Sequence, residues 1–520
     1  MPENSQKPSK SKFFFKKSTF TLLFIIIILF SLFLFLGTLN LEKIPFVLNQ
    51  DEMTFSIGAL KLSETGYDLC GNKLPLFPCS ALDFPYPFIS LSYYFSALFY
   101  KIYPPHNIFD IRFFSVLIGA LSGIIFFLLA KRILKKHHLI FPVLFSLIYY
   151  FSPGVFIFQR YGAPYYILPI TLQLIFLALI YEYSLKRNKK LLPLIFLVAG
   201  LLLFDYQPFR LYLPLCVLFF ILIFQKDIRS KYFIFGFSIF IIFSLLSFWQ
   251  ILTSGWPSHY LTKNSFNLKN ILFNISYHYS LNPLYCKMRL PFFPLNQFGL
   301  FQSLTIILFA GGIVYLIKNL KNHFSKFLLL CFIIYPLPAI LALSAEPTTN
   351  RIVNLIPVYF IISIFGLLLI LEFKDKLFKK FKTKTVALII LFLILVQSSH
   401  FLYVYFYLAN KKLATCKSYS KGENCNFVDL FYYLKDKNQK IYFDPSIVFI
   451  KTFIKFFDKI MNWKIKNYSL LTLEKNIEKG SIVVIGRPHI SYFFKNKNYK
   501  LIKIIKEKNT FSFFYIFQKL

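Results

Sequence analysis

Apolar residues fall in long blocks along this chain, separated by short polar connections. The clearest block, Thr19–Leu36, is apolar except for its hydroxyl groups, and it has about the length that crosses a bilayer as a helix. Blocks of the same character recur and predict spans at approximately 18–38, 111–130, 139–152, 164–184, 191–205, 210–225, 232–252, 299–317, 327–344, 352–371 and 386–407. That is a mainly α, polytopic membrane protein of about eleven transmembrane helices. Clusters of Lys and Arg at Lys7–Lys17, Lys131–Lys136, Lys186–Lys190, Lys226–Lys231, Lys318–Lys326 and Lys374–Lys384 fall on one side of this arrangement. The positive-inside bias places that side in the cytoplasm. The first block is read as a retained anchor, since no small-residue cleavage site follows it.

Three stretches then face outward: a first loop at 39–110, a second at 253–298 and a tail at 408–520. The basic N-terminus is residues 1–17 and the membrane domain 18–407. Within the first loop, Tyr86–Tyr103 is aromatic and amphipathic, with Pro85, Pro87, Pro104 and Pro105 around it; it reads as a helix lying in the interface. The tail changes pattern. Ile441–Asp444, Ser481–Gly486 and Thr510–Gln518 read as strands, with a helical stretch at Ile447–Met461, so a small extracytoplasmic α/β domain is expected there. Its many lysines do not oppose this placement, because long domains cross largely regardless of charge.

Composition agrees. Hydrophobic residues are 57% of 520 positions, 69 of them Phe, and charged residues are only 16%, against about 25% in soluble proteins. The net charge of +37 is spread as topology signals, and no RNA- or DNA-binding motif accompanies it, which argues against a nucleic-acid partner. The cysteine pairs Cys70/Cys79 and Cys416/Cys425 lie in outer segments, where disulfides can form. Cys216 and Cys331 lie in spans and read as small apolar residues.

Candidate chemistry gathers on the outer side. The first loop holds seven of the chain's 22 acidic residues, among them the adjacent pair Asp51 and Glu52 about a dozen positions beyond the first span. A carboxylate at headgroup depth can take a proton from a hydroxyl nucleophile or hold a divalent cation against a phosphate. A solvated acidic pair would have the same composition. Arg112, Arg160, Arg210 and Arg351 stand singly at outer ends of spans, where topology gives them no task. Arginine suits a phosphate through its planar fork of donors, although each can also snorkel to the interface alone. His259 and His278 are the weak metal candidates of the second loop; neither has ligand spacing.

Asn49-Gln-Asp-Glu-Met53, followed by Glu64-Thr-Gly-Tyr-Asp-Leu-Cys-Gly-Asn-Lys-Leu-Pro75, resembles the first outer loop of GT-C class membrane glycosyltransferases. The nearest group is the family 39-like one, with the protein O-mannosyltransferases and the lipid A aminoarabinose transferase. The segments opening at Asp110-Ile-Arg112, Phe151-Ser-Pro-Gly, Tyr206-Gln-Pro-Phe-Arg210 and Asn350-Arg351 resemble later elements, so the likeness covers roughly 18–372. It implies a polyprenyl-phosphate sugar donor, a hydroxyl acceptor on a lipid, glycan or protein, and reaction at the outer membrane face with inversion. It implies Asp51 as base, Glu52 as its assistant and the four arginines as ligands of the donor phosphate. Some members of the group bind a divalent metal through outer-loop acids and a histidine. A flippase or transporter of lipid-linked sugars would need similar outer arginines, but the chain shows no internal repeat and its polar residues gather at one face instead of mid-membrane.

Overall fold

The computed structural model describes residues 17–45, 48, 50–79, 90–253, 268–286, 298–341, 349–372, 383–408, 427–447, 450–463, 465, 467–471, 477–486, 489–506 and 513–520. Helices occupy all eleven predicted span positions. They are α1 (Lys17–Thr38), α4 (Ile108–Ile133), α5 (Ile140–Tyr150) with α6 (Pro153–Gln159), α7 (Ile167–Lys186), α8 (Leu192–Leu203), α9 (Phe209–Ile223), α10 (Lys231–Thr253), α12 (Thr305–Lys318), α13 (His323–Ile334) with α14 (Leu337–Leu341), α15 (Leu355–Glu372) and α16 (Thr383–Tyr403). Among the described residues, seven segments are long and apolar enough to span a membrane alone, and α5 with α6, bent by 62°, makes an eighth. The break at Phe151–Ser152 comes just before Pro153, whose nitrogen cannot donate to the preceding turn. The protein is therefore a multi-pass membrane protein.

Large apolar side chains point outward along α1 and α10, including Phe20, Phe24, Phe235 and Trp249, as lipid-facing positions do. Where helices cross closely, small residues make it possible: an added Cβ at Gly366 of α15 would lie 1.7 Å from the Leu308 carbonyl oxygen of α12, and one at Gly312 would lie 1.9 Å from that of Ile362.

The first outer loop is more ordered than its polar composition suggests. Gln50–Thr65 forms a helix, α2, with Asp51 and Glu52 in its first turn, where the helix dipole favours acids. It ends at Gly66, whose φ of +72° is the left-handed conformation that stops helices. A Cys70–Cys79 disulfide follows. The Asp68 carboxylate ties the same turn by accepting from the Asn72 and Cys79 backbone N–H groups at 2.8 and 2.9 Å. The predicted interfacial helix is α3 (Ser90–Ile102), packed against α2. Its N-terminus is held by Asp205, in the connection after α8, which accepts from the Ser92 N–H and hydroxyl at 3.1 and 2.5 Å.

The tail folds as α/β. It contains α17 (Phe427–Leu434), β1 (Ile441–Phe443), α18 (Ile450–Lys459), β2 (Tyr468–Leu470), β3 (Ile482–Ile485), α19 (Ile490–Lys495), β4 (Tyr499–Lys506) and β5 (Phe513–Lys519). The short helix α11 (Leu268–Tyr279) lies in the second outer loop. The strand order is β2-β1-β3-β5-β4, parallel among the first three and antiparallel at β5. β2 and β4 add to the three expected strands: β2 is only three residues long, and in β4 lysines interrupt the alternation. α18 rests on α2. Consequently α2, with α3 on one flank and the tail domain on another, has Glu52 through Leu60 all buried. Cys416, Cys425 and His259 lie outside the described residues.

Candidate active site

The acidic pair divides at the first turn of α2, where successive side chains point about 100° apart. Glu52 turns inward and is fully buried. Its Oε1 accepts from Arg112 Nε at 2.9 Å and from the Gly162 N–H at 2.7 Å, and its Oε2 accepts from Arg112 Nη2 at 3.2 Å. Gly162 permits this, since a Cβ there would lie 2.9 Å from that carboxylate. Asp51 turns the other way and is half-buried. Tyr165 donates to its Oδ2 at 3.0 Å. Burial pushes the Asp51 carboxyl up from its ordinary range; the Tyr165 and Tyr161 hydroxyls partly offset this, and the negative Glu52 adds to it. Aromatic rings line the approach: Tyr165 stacks with Tyr206 at 5.9 Å between centroids, and Tyr166 meets Tyr206 edge-on at 5.3 Å.

The four arginines fall into two kinds. Arg160 is buried, and all five of its N–H donors meet protein acceptors: the carbonyls of Leu36, Gly37, Leu39 and Ile44, and the Tyr405 hydroxyl. Arg112, also buried, adds the carbonyls of Leu41 and Pro45 to its Glu52 pair. These carbonyls end α1 and line the turn beyond it. A helix end leaves four carbonyls without partners. In α1 the Thr38 hydroxyl donates to Phe35, Arg160 to Leu36 and Gly37, and the Leu41 N–H to Thr38. Arg112 and Arg160 thus clasp the C-terminus of α1, whose dipole attracts cations, and this departs from the expectation that they present donors to a phosphate. Arg210 and Arg351 are partly exposed. Arg210 donates to the Leu203 carbonyl and to Gln250 and lies four residues from Tyr206. Arg351 sits in a short turn at Thr349–Ile352, close enough to His278 of α11 to act on its charge.

His278 is fully buried with neither ring nitrogen hydrogen-bonded. Burial and then the Arg351 charge hold its pKa down at about 4. An arginine beside it opposes a cation. Among the described residues no three of His, Cys, Asp and Glu gather as metal ligands.

Three other described outer acids have structural partners. Asp68 ties the disulfide turn, Asp110 accepts from the Tyr103 hydroxyl and the His106 N–H, and Asp205 holds α3. Asp205 carries no motif in the sequence that marks it. It was legible only as an isolated carboxylate at a span end. Its Oδ2 is buried without a hydrogen bond, and burial raises its pKa to about 7.

Neither a protein-family model nor a curated protein sequence matches the chain. Solved structures do. The apo structure of ArnT from Cupriavidus metallidurans aligns with a TM-score of 0.56 at 8% identity, covering 96% of this chain and 98% of that one. The same protein bound to undecaprenyl phosphate aligns with a TM-score of 0.55, with equal coverage. The chain has the GT-C fold. The ArnT likeness extends over the GT-C membrane domain and the tail together, so the α/β domain belongs to the shared architecture.

Proposed function

We propose that the chain is a GT-C glycosyltransferase that moves a sugar from a polyprenyl-phosphate donor to a hydroxyl acceptor at the outer face of the membrane. The observation that carries this reading is Asp51 itself: half-buried in the first turn of α2, lined by tyrosines, with its pKa raised by burial. A carboxylate whose pKa moves toward neutrality is a better base. That ArnT, which shares the fold, binds undecaprenyl phosphate supports a lipid phosphate as the donor's carrier.

In this reading Asp51 takes the proton of the acceptor hydroxyl as its oxygen attacks the anomeric carbon. The bond from that carbon to the phosphate oxygen breaks, the lipid phosphate leaves, and one displacement inverts the configuration. Negative charge grows on the leaving phosphate, and the partly exposed Arg210 and Arg351 are assigned to it. Glu52 acts indirectly, by fixing the first turn of α2 through Arg112. The reading places the N-terminus in the cytoplasm and the tail domain outside.

The test is sugar transfer in membranes supplied with a radiolabelled polyprenyl-phosphate sugar. Asp51→Asn is expected to lower transfer at least a hundredfold with the protein still folded. Transfer near the wild-type rate would remove Asp51 as base. Transbilayer movement of a lipid-linked sugar by purified protein, with no sugar transferred, would replace the enzyme reading with a flippase.

A further inference from the structure

At the end of the bundle away from Asp51, a cavity of about 380 Å³ opens between the start of α1, the end of α4 and the start of α5. Its volume lies in the range of small-ligand sites, about 300–1,000 Å³. Leu22, Leu139 and Pro142 give it an apolar wall, and Lys131, Lys135 and His137 give it a polar one. From Arg112 to Lys131 along α4 the rise is about 29 Å at 1.5 Å per residue, close to the hydrocarbon thickness of a bilayer. The cavity therefore lies across the membrane from the candidate active site.

Its charge is not balanced from within. Arg132 beside it pairs with Glu182, but Lys131 and Lys135 have no carboxylate within ion-pair distance among the described residues. His137 is pushed down by burial, and the Lys384 and Lys136 charges lower it further, while Glu372 acts against them. Its Nε2 is buried without a hydrogen bond. A cationic wall above an apolar wall, at headgroup depth, has the form of an anionic lipid site between membrane helices.

We infer that this cavity binds the headgroup of an anionic phospholipid, with the phosphate on Lys131 and Lys135 and the acyl region along Leu22 and Pro142. The inference does not depend on the catalytic reading, because the site is at the other membrane face and shares no residue with it. An anionic lipid here would tie α1 to the α4–α5 connection.

Native mass spectrometry of the detergent-purified full chain tests it, with dioleoyl phosphatidylglycerol and dioleoyl phosphatidylcholine as competing probes. Wild-type protein is expected to retain phosphatidylglycerol at least fivefold over phosphatidylcholine. The Lys131→Gln/Lys135→Gln variant, altered at partly exposed and exposed positions, should fall to the phosphatidylcholine level with an unchanged unfolding temperature. Leu139→Trp, which fills the cavity without altering charge, should do the same. The Lys318→Gln/Lys321→Gln control should retain the preference. No preference in wild type, or full retention by the double-lysine variant, would overturn the inference. Displacement of phosphatidylglycerol by millimolar inorganic phosphate would overturn it too, by assigning the cavity to a free anion.

Discussion

Adjacent acids of the same charge should answer the same substitution in opposite ways. Glu52→Gln keeps the shape of the side chain and removes its charge, leaving Arg112 buried without the Glu52 carboxylate. Arg112 has 1% side-chain exposure and Glu52 none, so water cannot take the place of the lost carboxylate. Removing one member of such a buried pair costs about 3–5 kcal/mol. The Gly162 N–H, which donates to the same oxygen at 2.7 Å, would retain only a neutral acceptor. Domains of 150–250 residues lose roughly 2–4 °C per kcal/mol, and a chain about twice that length roughly half as much, so a fall of roughly 3–10 °C follows.

Asp51→Asn removes a carboxylate whose ionised form is opposed by burial and by the negative Glu52. Its unfolding temperature should match wild type or rise slightly. Fluorescence-detected unfolding in detergent, run beside the sugar-transfer assay, separates the two. Asp51→Asn should lose transfer and keep stability; Glu52→Gln should lose stability first. A Glu52→Gln protein that unfolds within a degree of wild type would refute the buried-pair argument. So would an Asp51→Asn protein that loses as much stability as Glu52→Gln.

Three further outcomes follow from the same geometry. Arg160→Met strips donors from five acceptors, three of them in buried hydrogen bonds, each of those three worth about 1–3 kcal/mol when left unpaired. It should cost several degrees of unfolding temperature, whereas an unchanged temperature with a raised KM for the lipid donor would return Arg160 to phosphate binding. Gly366→Leu drives a side chain into the Leu308 backbone carbonyl, which cannot move aside; a monodisperse peak of wild-type size and yield in size-exclusion chromatography would contradict that crossing. Asp205 has a folded pKa of about 7 against an ordinary 3.8, so the fold binds its proton more tightly than the unfolded chain does. Its stabilising contribution is complete below pH 3.8 and is lost as pH rises to about 7, at most about 4 kcal/mol. Asp205→Asn should therefore gain on wild type in unfolding temperature between pH 5 and 8, and parallel curves would refute the assignment.

The spans were readable because a bilayer imposes one demand on every crossing segment, continuous apolar surface with internal hydrogen bonds, and that demand is written in composition. The outer loop obeys no such rule. Gln50–Thr65 has the polarity of a loop, and it is helical because α3 and α18 bury it from two sides; α18 comes from a domain about 400 residues away. Arg112 and Arg160 were legible as isolated charges at one face, where an isolated charge must have a partner. What composition could not reveal was that the partner is the end of α1, since backbone carbonyls carry no sequence signature. The same limit decides the acidic pair. Read as a string, Asp51 and Glu52 are two carboxylates at one depth. Once that stretch is a helix, one residue of rotation gives Glu52 to Arg112 and Asp51 to the tyrosine-lined face, so the proposal of Asp51 as base rests on helix phase and not on residue type.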